Sequence, residues 1–167
     1  MNNFTTGSLT LNVAIENFAL KEPFRITGQS MVDTNVVTVT LERDGHIGRG
    51  EASGVYYRKD DDPAGVARQI EAIRARIEAG IDRESLQRLL PTGGARNAVD
   101  CALWDLEAKL TGRPAWQIAG LEPPRPLLTA FTVGANEPEK MASDARAYTD
   151  AKAIKLKLTG EIGRAHV

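Results

Sequence analysis

The order in which strand-like and helix-like segments succeed one another constrains this fold more than any other feature of the chain. Residues 8–20 alternate apolar and polar side chains and residues 34–43 are rich in β-branched side chains, so both predict strands. The Asp44-Gly45 pair predicts a tight turn into a third strand at 46–52. From 63 to 119 the apolar residues recur at helical spacing instead. Strands first and helices second predict an α+β domain built on a three-stranded antiparallel meander.

Four helices are predicted in the second half of this domain, and glycine or proline ends each of the first three. The first covers 63–80, and the second follows Asp82, a candidate N-cap, and ends at Pro91. A short fourth helix covers 115–119. The third covers 95–110 and carries a single apolar stripe, which consists of Ala95, Val99, Ala102, Leu106 and Leu110.

The charged residues around these helices are interpreted as structural. Three aspartates at 60–62 precede the first helix, where the helix macrodipole favours solvated carboxylates. On the third helix, Arg96, Asp100 and Asp105 lie among small and apolar residues and are expected to form caps or ion pairs.

A proline-rich segment, LEPPRP at 121–126, separates this domain from a region in which the elements follow a different order. Residues 127–134 predict a strand, 137–151 a helix and 153–158 a second strand. Strand, helix and strand over about 30 residues make a βαβ unit, whose two strands are parallel. Parallel sheets are covered on both faces, so neither face of 153–158 is expected to lie in bulk water.

Two lysines alternate with aliphatic residues in 153–158, so Lys155 and Lys157 share one face of the predicted strand. Ammonium groups about 7 Å apart repel by about 2 kcal/mol at an effective dielectric constant of about 20. Repulsion and desolvation together favour the neutral form of one lysine, which can then remove a proton from a carbon beside a carbonyl group. Solvated lysines on an exposed strand edge, which oppose aggregation, are the alternative interpretation.

Composition narrows the classes of partner. The net charge is −1 and basic residues are dispersed among acidic ones, which argues against the clustered basic surface of a nucleic-acid-binding protein. The sequence has no apolar run of the ~20 residues that a membrane span needs, and its first residues lack the apolar core of a signal peptide. Its single cysteine, Cys101, fits a reducing compartment, so we expect a cytoplasmic protein without nucleic-acid or membrane partners.

Motifs in both regions of the chain resemble the enolase superfamily. The segments GGARNAVDCALWDLEAKLTGRPAW at 93–116, LLTAFTVG at 127–134 and AIKLKL at 153–158 have the order and spacing of that family. A G-x-G-E-A turn at 48–52 fits the same pattern. The likeness covers 8–160, and it is greatest to the muconate-lactonizing subgroup and, within it, to dipeptide epimerases of the L-Ala-D/L-Glu type.

The resemblance implies an α+β capping domain at 1–122, followed by the truncated start of a β/α (TIM-type) barrel at 123–161. It implies abstraction of the α-proton next to a carboxylate of a dipeptide, with Mg²⁺ stabilising the enolate. Muconate cycloisomerase and o-succinylbenzoate synthase activities, which use a similar K-x-K strand, remain alternatives. A non-catalytic α+β binding module is a further alternative.

The resemblance also implies a role for individual residues of the second region. Lys157 is implied as the acid/base on one face of the substrate α-carbon, with Lys155 beside it favouring its neutral form. Thr132 matches the position of a threonine in the first barrel strand that contacts the substrate.

Two loops of the capping domain, at about 25–33 and 53–60, are expected to close over the substrate. Arg25 lies earlier than the arginine that binds the glutamate carboxylate in Ala-Glu epimerases, which leaves another dipeptide open. The implied substrate contacts in the two loops are Gln29, Met31 and Tyr56.

A complete β/α barrel needs about 250 residues, whereas the residues after 126 supply only two predicted strands and one helix. The magnesium ligands and the lysine on the opposite face of the substrate are therefore expected in a missing C-terminal part, with no metal ligands within this chain. The chain by itself is expected to be inactive. Residues 162–167, IGRAHV, are interpreted as a non-native tail encoded by adapter DNA. Homo-oligomer formation by the full-length protein is left open.

Overall fold

A computed structural model describes residues 8–55 and 58–158 of the chain. Within these ranges strands come first, helices second and a strand–helix–strand segment last, as the sequence predicts. No helix in the described part of the chain is long and apolar enough to cross a membrane.

The chain divides into two compact units. The larger unit comprises the residues up to Phe18 and Asn35–Pro124. The smaller unit comprises Ala19–Thr34 and the residues from Arg125 onward. A segment from the N-terminal part of the sequence thus belongs to the smaller unit, while the domain boundary at 122 and 123 stays a prediction.

Three strands form an antiparallel sheet in the order β1-β2-β3. Their bounds are β1 Thr10–Ile26, β2 Gln29–Arg43 and β3 His46–Ala52. The predicted meander is confirmed, although β1 and β2 are both longer than predicted. The extra residues lie where the two strands approach their shared turn.

The turn between β2 and β3 has the predicted chemistry. The register runs from Arg43 opposite His46 to Val37 opposite Ala52. The two turn residues at 44–45 have φ of 51° and 75°, and positive φ at both central positions is the mark of a type I′ turn. Asp-Gly is one of the few residue pairs that adopt this turn without strain.

Five helices follow the sheet in the larger unit, and they are α1 Pro63–Ala72, α2 Arg74–Glu78, α3 Arg83–Leu89, α4 Gly94–Thr111 and α5 Ala115–Ile118. The predicted N-cap Asp82 is confirmed, because its carboxylate accepts a hydrogen bond from the backbone N–H of Ser85 at 2.6 Å. That hydrogen bond holds the pKa of Asp82 below its ordinary value.

The single helix predicted over 63–80 is wrong, because the structure breaks it at Ile73, where φ is −114° and ψ is 13°. Directly after the break, Arg74 donates to the carbonyl oxygen of Leu11 in β1 at 2.7 Å. The Arg74 guanidinium also pairs with Glu71 and Glu78, at 2.7 and 2.9 Å. These hydrogen bonds, the one to Glu71 first, raise the pKa of Arg74.

Helix α4 packs against β3 at backbone contact. A Cβ atom added at Gly48 would collide with the carbonyl oxygen of Ala102, and one added at Gly50 would collide with that of Ala98. Glycine at both positions of the G-x-G-E-A motif is therefore what permits this approach. The predicted stripe of α4 is confirmed from Ala95 to Leu106, and its last residue, Leu110, is partly buried against the core. The buried residues of α4 are Ala95, Ala98, Val99, Ala102, Leu103 and Leu106.

Polar side chains of α4 cover the free edge of β3. Asn97 donates to the carbonyl oxygen of Glu51 at 3.2 Å, and Lys109 donates to that of Ile47 at 2.7 Å. Between them, the carboxylate of Asp105 accepts from the backbone N–H of Arg49 at 2.8 Å. The structural role predicted for Asp105 is confirmed, and three backbone groups of an edge strand gain partners that are not strands.

The smaller unit contains a βαβ segment, as predicted. Strand β4 Phe131–Val133 and strand β5 Ile154–Leu156 are joined by helix α6 Pro138–Ala147. The two strands are parallel, and Phe131 lies opposite Ile154. All three elements are shorter than predicted. Leu127, at the start of the predicted first strand, lies outside β4 and is 88% exposed.

Candidate active site

Strands β4 and β5 bring three of the predicted site residues onto one face. Thr132 lies directly opposite Lys155 in the parallel register, and neighbouring residues of paired strands point to the same side. Lys157, two residues further on, points the same way, and its backbone N–H donates to the carbonyl oxygen of Val133 at 3.0 Å. Lys155 is exposed, whereas Lys157 is half-buried.

Residues 25–33, which were expected to form a loop, are the tip of the β1–β2 hairpin instead. Only Thr27 and Gly28 lie in the turn, and Gly28 has a φ of 74°, which favours glycine. The expectation of a loop is wrong because Ile26 and Met31, on either side of the turn, are half-buried and continue the strand pattern.

The hairpin tip is hydrogen-bonded to the carboxyl ends of both β4 and β5. The backbone N–H of Ala135, just past β4, donates to the carbonyl oxygen of Arg25 at 2.9 Å. The hydroxyl of Thr27 donates to the carbonyl oxygen of Leu158, just past β5, at 3.0 Å. The hairpin therefore contacts the carboxyl end of this two-stranded sheet.

A cavity of about 600 Å³ lies within the smaller unit, between the hairpin, the end of β4 and the end of α6. Met31 and Thr132 contribute to its wall, and so does Asp33. Lys155 and Lys157 are not part of the cavity lining, nor is Gln29, which is exposed at the first position of β2. Met31 and Thr132 therefore meet in the wall of the cavity. Thr132 meets the lysines on the face of the β4–β5 sheet.

One side of this cavity carries a small charge network. Lys140 of α6 pairs with Asp144 at 2.5 Å and with Glu22 of β1 at 3.2 Å. Hydrogen bonds to these two carboxylates, with Asp144 contributing more, raise the pKa of Lys140. The network therefore adds a contact between α6 and the hairpin.

Two of the predictions fall outside the described residues. Tyr56, the third of the implied substrate contacts in the capping loops, is one of them. The interpretation of 162–167 as a non-native tail is the other.

The interpretation of residues 60–62 as solvated is wrong for Asp61, which is buried with 5% of its surface exposed. Its Oδ1 accepts from the backbone N–H of Gly94 at 2.8 Å. Gly94 begins α4, and the residue before it, Gly93, has no side chain with which to cap the helix. In the sequence, the glycine pair at the start of this long helix is the signal that a side chain from another segment must cap its N-terminus. Asp62, in contrast, is exposed, as expected, and its side chain also caps α1 by accepting from the Gly65 N–H.

The described residues do not fit a metal ion. Across 8–55 and 58–158, no group of three or more histidine, cysteine, aspartate or glutamate side chains is placed to hold one. The acidic pair at the cavity, Glu22 and Asp144, already has the ammonium of Lys140 as its cation.

Comparison with protein families and curated proteins finds relatives for most of the chain. The model of the mandelate racemase / muconate lactonizing enzyme N-terminal domain matches residues 8–120. The L-Ala-D/L-Glu epimerase of Escherichia coli (strain K12) is 38% identical over 155 residues, which make up 92% of this chain and 48% of the relative. The chain thus spans about half the length of this relative.

Solved structures give the same result. An enolase family member from Agrobacterium tumefaciens with homology to dipeptide epimerases, with bound sodium and L-Ala-L-Glu, has a TM-score of 0.81 at 38% identity. The match covers 89% of this chain and 45% of that one. The dipeptide epimerase of Methylococcus capsulatus, complexed with Mg and L-Arg-D-Lys, has a TM-score of 0.81 at 27% identity and covers 93% and 47%.

Proposed function

Because the chain belongs to the mandelate racemase / muconate lactonizing enzyme family of the enolase superfamily, we propose that the whole protein is a dipeptide epimerase. The three-stranded sheet and its helices are the capping domain of this superfamily, so the predicted fold class is confirmed for the larger unit. The observation that carries the proposed reaction is the shared face of Thr132 and Lys155 in two parallel strands, which Lys157 continues just past the carboxyl end of β5.

The proposed domain division follows the prediction. Residues 1–122 form the capping domain, and 123–161 form the first βαβ unit of a β/α barrel. The family match to 8–120 supports the first part, and the parallel pairing of β4 with β5 supports the second. The prediction that 162–167 is non-native remains part of the proposal.

Lys157 is proposed as the base that removes the α-proton next to the substrate carboxylate, and as the acid that returns it. Its position just past the carboxyl end of β5 supports this role, because α/β folds place their chemistry at that end of the strands. Lys155 is proposed to act on Lys157 through charge repulsion, and Thr132 to donate a hydrogen bond to the substrate.

The substrate is proposed to be a dipeptide, held by Met31 and Gln29 of the hairpin and by Tyr56. The E. coli relative is an L-Ala-D/L-Glu epimerase, and the M. capsulatus structure contains L-Arg-D-Lys. Both an acidic and a basic dipeptide therefore belong in the test of specificity.

Mg²⁺ is proposed as the cofactor of the whole protein, with ligands outside the described residues, where it would stabilise the enolate. The M. capsulatus relative was solved with Mg, which supports this. We further propose a cytoplasmic enzyme without nucleic-acid or membrane partners, which a single cysteine in the sequence supports.

The test is exchange of the substrate α-proton in D₂O. The whole protein with Mg²⁺ is incubated with L-Ala-L-Glu and with L-Arg-L-Lys, and the α-proton signals are followed by NMR. Deuterium incorporation with epimerisation is expected, and Lys157→Ala should slow it by roughly 100-fold or more. Lys152→Ala, which removes an exposed lysine just before β5, is the matched control. Absence of exchange with every dipeptide would overturn the proposed reaction, and equal losses in both variants would overturn the role of Lys157.

A further inference from the structure

The backbone that carries Lys157 is held in a different way from the backbone that carries Lys155. Lys155 is the central residue of β5, and the ladder to β4 fixes it opposite Thr132. Lys157 lies past Leu156, the last residue of β5. Its own N–H donates to Val133, and the carbonyl group of the following residue, Leu158, accepts from the hydroxyl of Thr27 in the hairpin.

We propose that Thr27 is a positioning residue for Lys157. The hydrogen bond from Thr27 to the Leu158 oxygen and the one from the Lys157 N–H to Val133 hold the chain on both sides of the Lys157 side chain. This inference rests on the proposed function, since it assigns a role in the reaction of Lys157. It makes no demand on Lys155, whose position the ladder already fixes.

Other contacts hold the hairpin in place, so the effect of Thr27 on Lys157 can be distinguished from an effect on the hairpin. A second hydrogen bond, from the Ala135 N–H to the carbonyl oxygen of Arg25, joins the hairpin to the end of β4 without using Thr27. The ion pair between Lys140 and Glu22 adds another contact between the hairpin and α6. The hairpin should therefore keep its place when the Thr27 hydroxyl is removed, whereas the carbonyl after Lys157 loses its partner.

The proposed role of Thr27 depends on its hydroxyl group, so substitutions that remove or keep this hydroxyl test it directly. Thr27→Val keeps the size and the β-branch of the side chain and removes the donor. Thr27→Ser keeps the donor and removes a methyl group. Thr149→Val makes the same change at an exposed threonine outside the hairpin, in the turn after α6, and serves as the control.

The kinetic test uses the whole protein with Mg²⁺ and follows α-proton exchange in D₂O separately for the two epimers of the dipeptide. Lys157→Ala identifies the epimer whose proton Lys157 removes. Thr27→Val should lower kcat for that epimer about tenfold, because small misplacements of a catalytic group are costly, and should change KM and the other epimer far less. Thr27→Ser should restore the rate, and Thr149→Val should leave it unchanged. Equal slowing of both epimers, or failure of serine to restore the rate, would overturn the proposal.

A second measurement does not depend on turnover. In the 167-residue chain, amide hydrogen exchange is compared at Lys157 and at Phe131, whose N–H donates to Ala153 at the opposite end of the ladder. Thr27→Val should accelerate exchange at Lys157 about fivefold, which corresponds to one net hydrogen bond, and leave Phe131 unchanged. An unchanged Lys157 amide overturns the positioning role whatever the substrate. If no dipeptide is turned over but the Lys157 amide is accelerated, the proposed reaction fails while the contact of Thr27 stands.

Discussion

The two units bury their hydrophobic residues to very different extents. In the larger unit, side chains such as Leu41, Ile70 and Val99 are fully buried between the sheet and the helices. In the smaller unit, the aliphatic residues of β5 face solvent, and Leu156 is 53% exposed. A two-stranded sheet is only marginally stable by itself. The comparison indicates that the larger unit contains its own core, whereas the smaller unit depends on a short ladder and on the hairpin.

The largest effect expected from this difference comes from paired leucine truncations. Leu41→Ala should lower the free energy of unfolding of the larger unit by about 2–5 kcal/mol, because it opens a cavity in a packed core. Leu156→Ala should change it by less than about 0.5 kcal/mol. Urea unfolding followed by the fluorescence of Trp104 and Trp116, both of which belong to the larger unit, measures the two changes. A similar loss in both variants would contradict the comparison.

Glycine substitutions should give the next largest difference. Gly50→Ala forces a Cβ against the carbonyl oxygen of Ala98 and should cost about 1–3 kcal/mol, as other overpacked cores do. In the smaller unit, a Cβ at Gly134 would lie 3.3 Å from the backbone nitrogen of Arg25, so a shift of a few tenths of an ångström relieves it. Gly134→Ala should therefore leave urea unfolding unchanged and alter only amide exchange at Ala135. A stable Gly50→Ala variant would mean that α4 can move away from β3.

A third effect separates two neighbouring aspartates of the larger unit. Asp61→Ala leaves the part-buried Gly94 N–H without its partner and should cost about 1–3 kcal/mol. Asp60→Ala removes an exposed carboxylate whose partner, Arg68, lies 3.8 Å away, and should cost less than about 1 kcal/mol. Urea unfolding of both variants measures the difference, and equal costs would remove the capping role of Asp61.

The smallest expected effect is a difference in pH dependence between the units. The folded-state pKa of Asp82 in the larger unit is lowered, mainly by the Ser85 N–H, so its contribution is present above the ordinary aspartate pKa of about 3.9 and is lost as the pH falls through the folded value. The pKa of Lys140 in the smaller unit is raised, so its contribution is present below about pH 10.4 and is lost as the pH rises through the folded value.

Charge-removing variants check these two windows. In Asp82→Asn, the urea-unfolding midpoint should depend less on pH at acidic pH, and its dependence at alkaline pH should be unchanged. Lys140→Met should flatten only the alkaline dependence of amide exchange in α6. An unchanged dependence at acidic pH in Asp82→Asn would show that other carboxylates dominate acid unfolding.

Sequence reasoning predicted the parts of the fold that local chemistry determines. The Asp44-Gly45 turn, the Asp82 cap and the stripe of α4 each depend on a few neighbouring residues, and the structure contains all three. The break at Ile73 and the burial of Asp61 could not be predicted in this way. Both occur beside partners far along the chain: Arg74, directly after the break, donates to Leu11, and Asp61 accepts from Gly94.

The same distinction between local patterns and distant partners applies to the candidate site. Alternation in 153–158 was enough to place Lys155 and Lys157 on one face, and the ladder adds Thr132 to it. The contact between Thr27 and Leu158 spans 131 residues of sequence, and no local pattern announces it. The roles of these residues in catalysis stay predictions until the exchange experiments are done.

The cover that α4 places over β3 has a consequence for the order of events during synthesis. Strand β3 ends at Ala52, but Asn97, Asp105 and Lys109 leave the ribosome only after the intervening segment has been made. Until then the β3 edge of the finished meander is bare, and its covering must wait for a contact between distant parts of the chain. The nascent protein therefore passes through a stage in which β3 is open to pairing with another strand, and that stage ends when α4 docks.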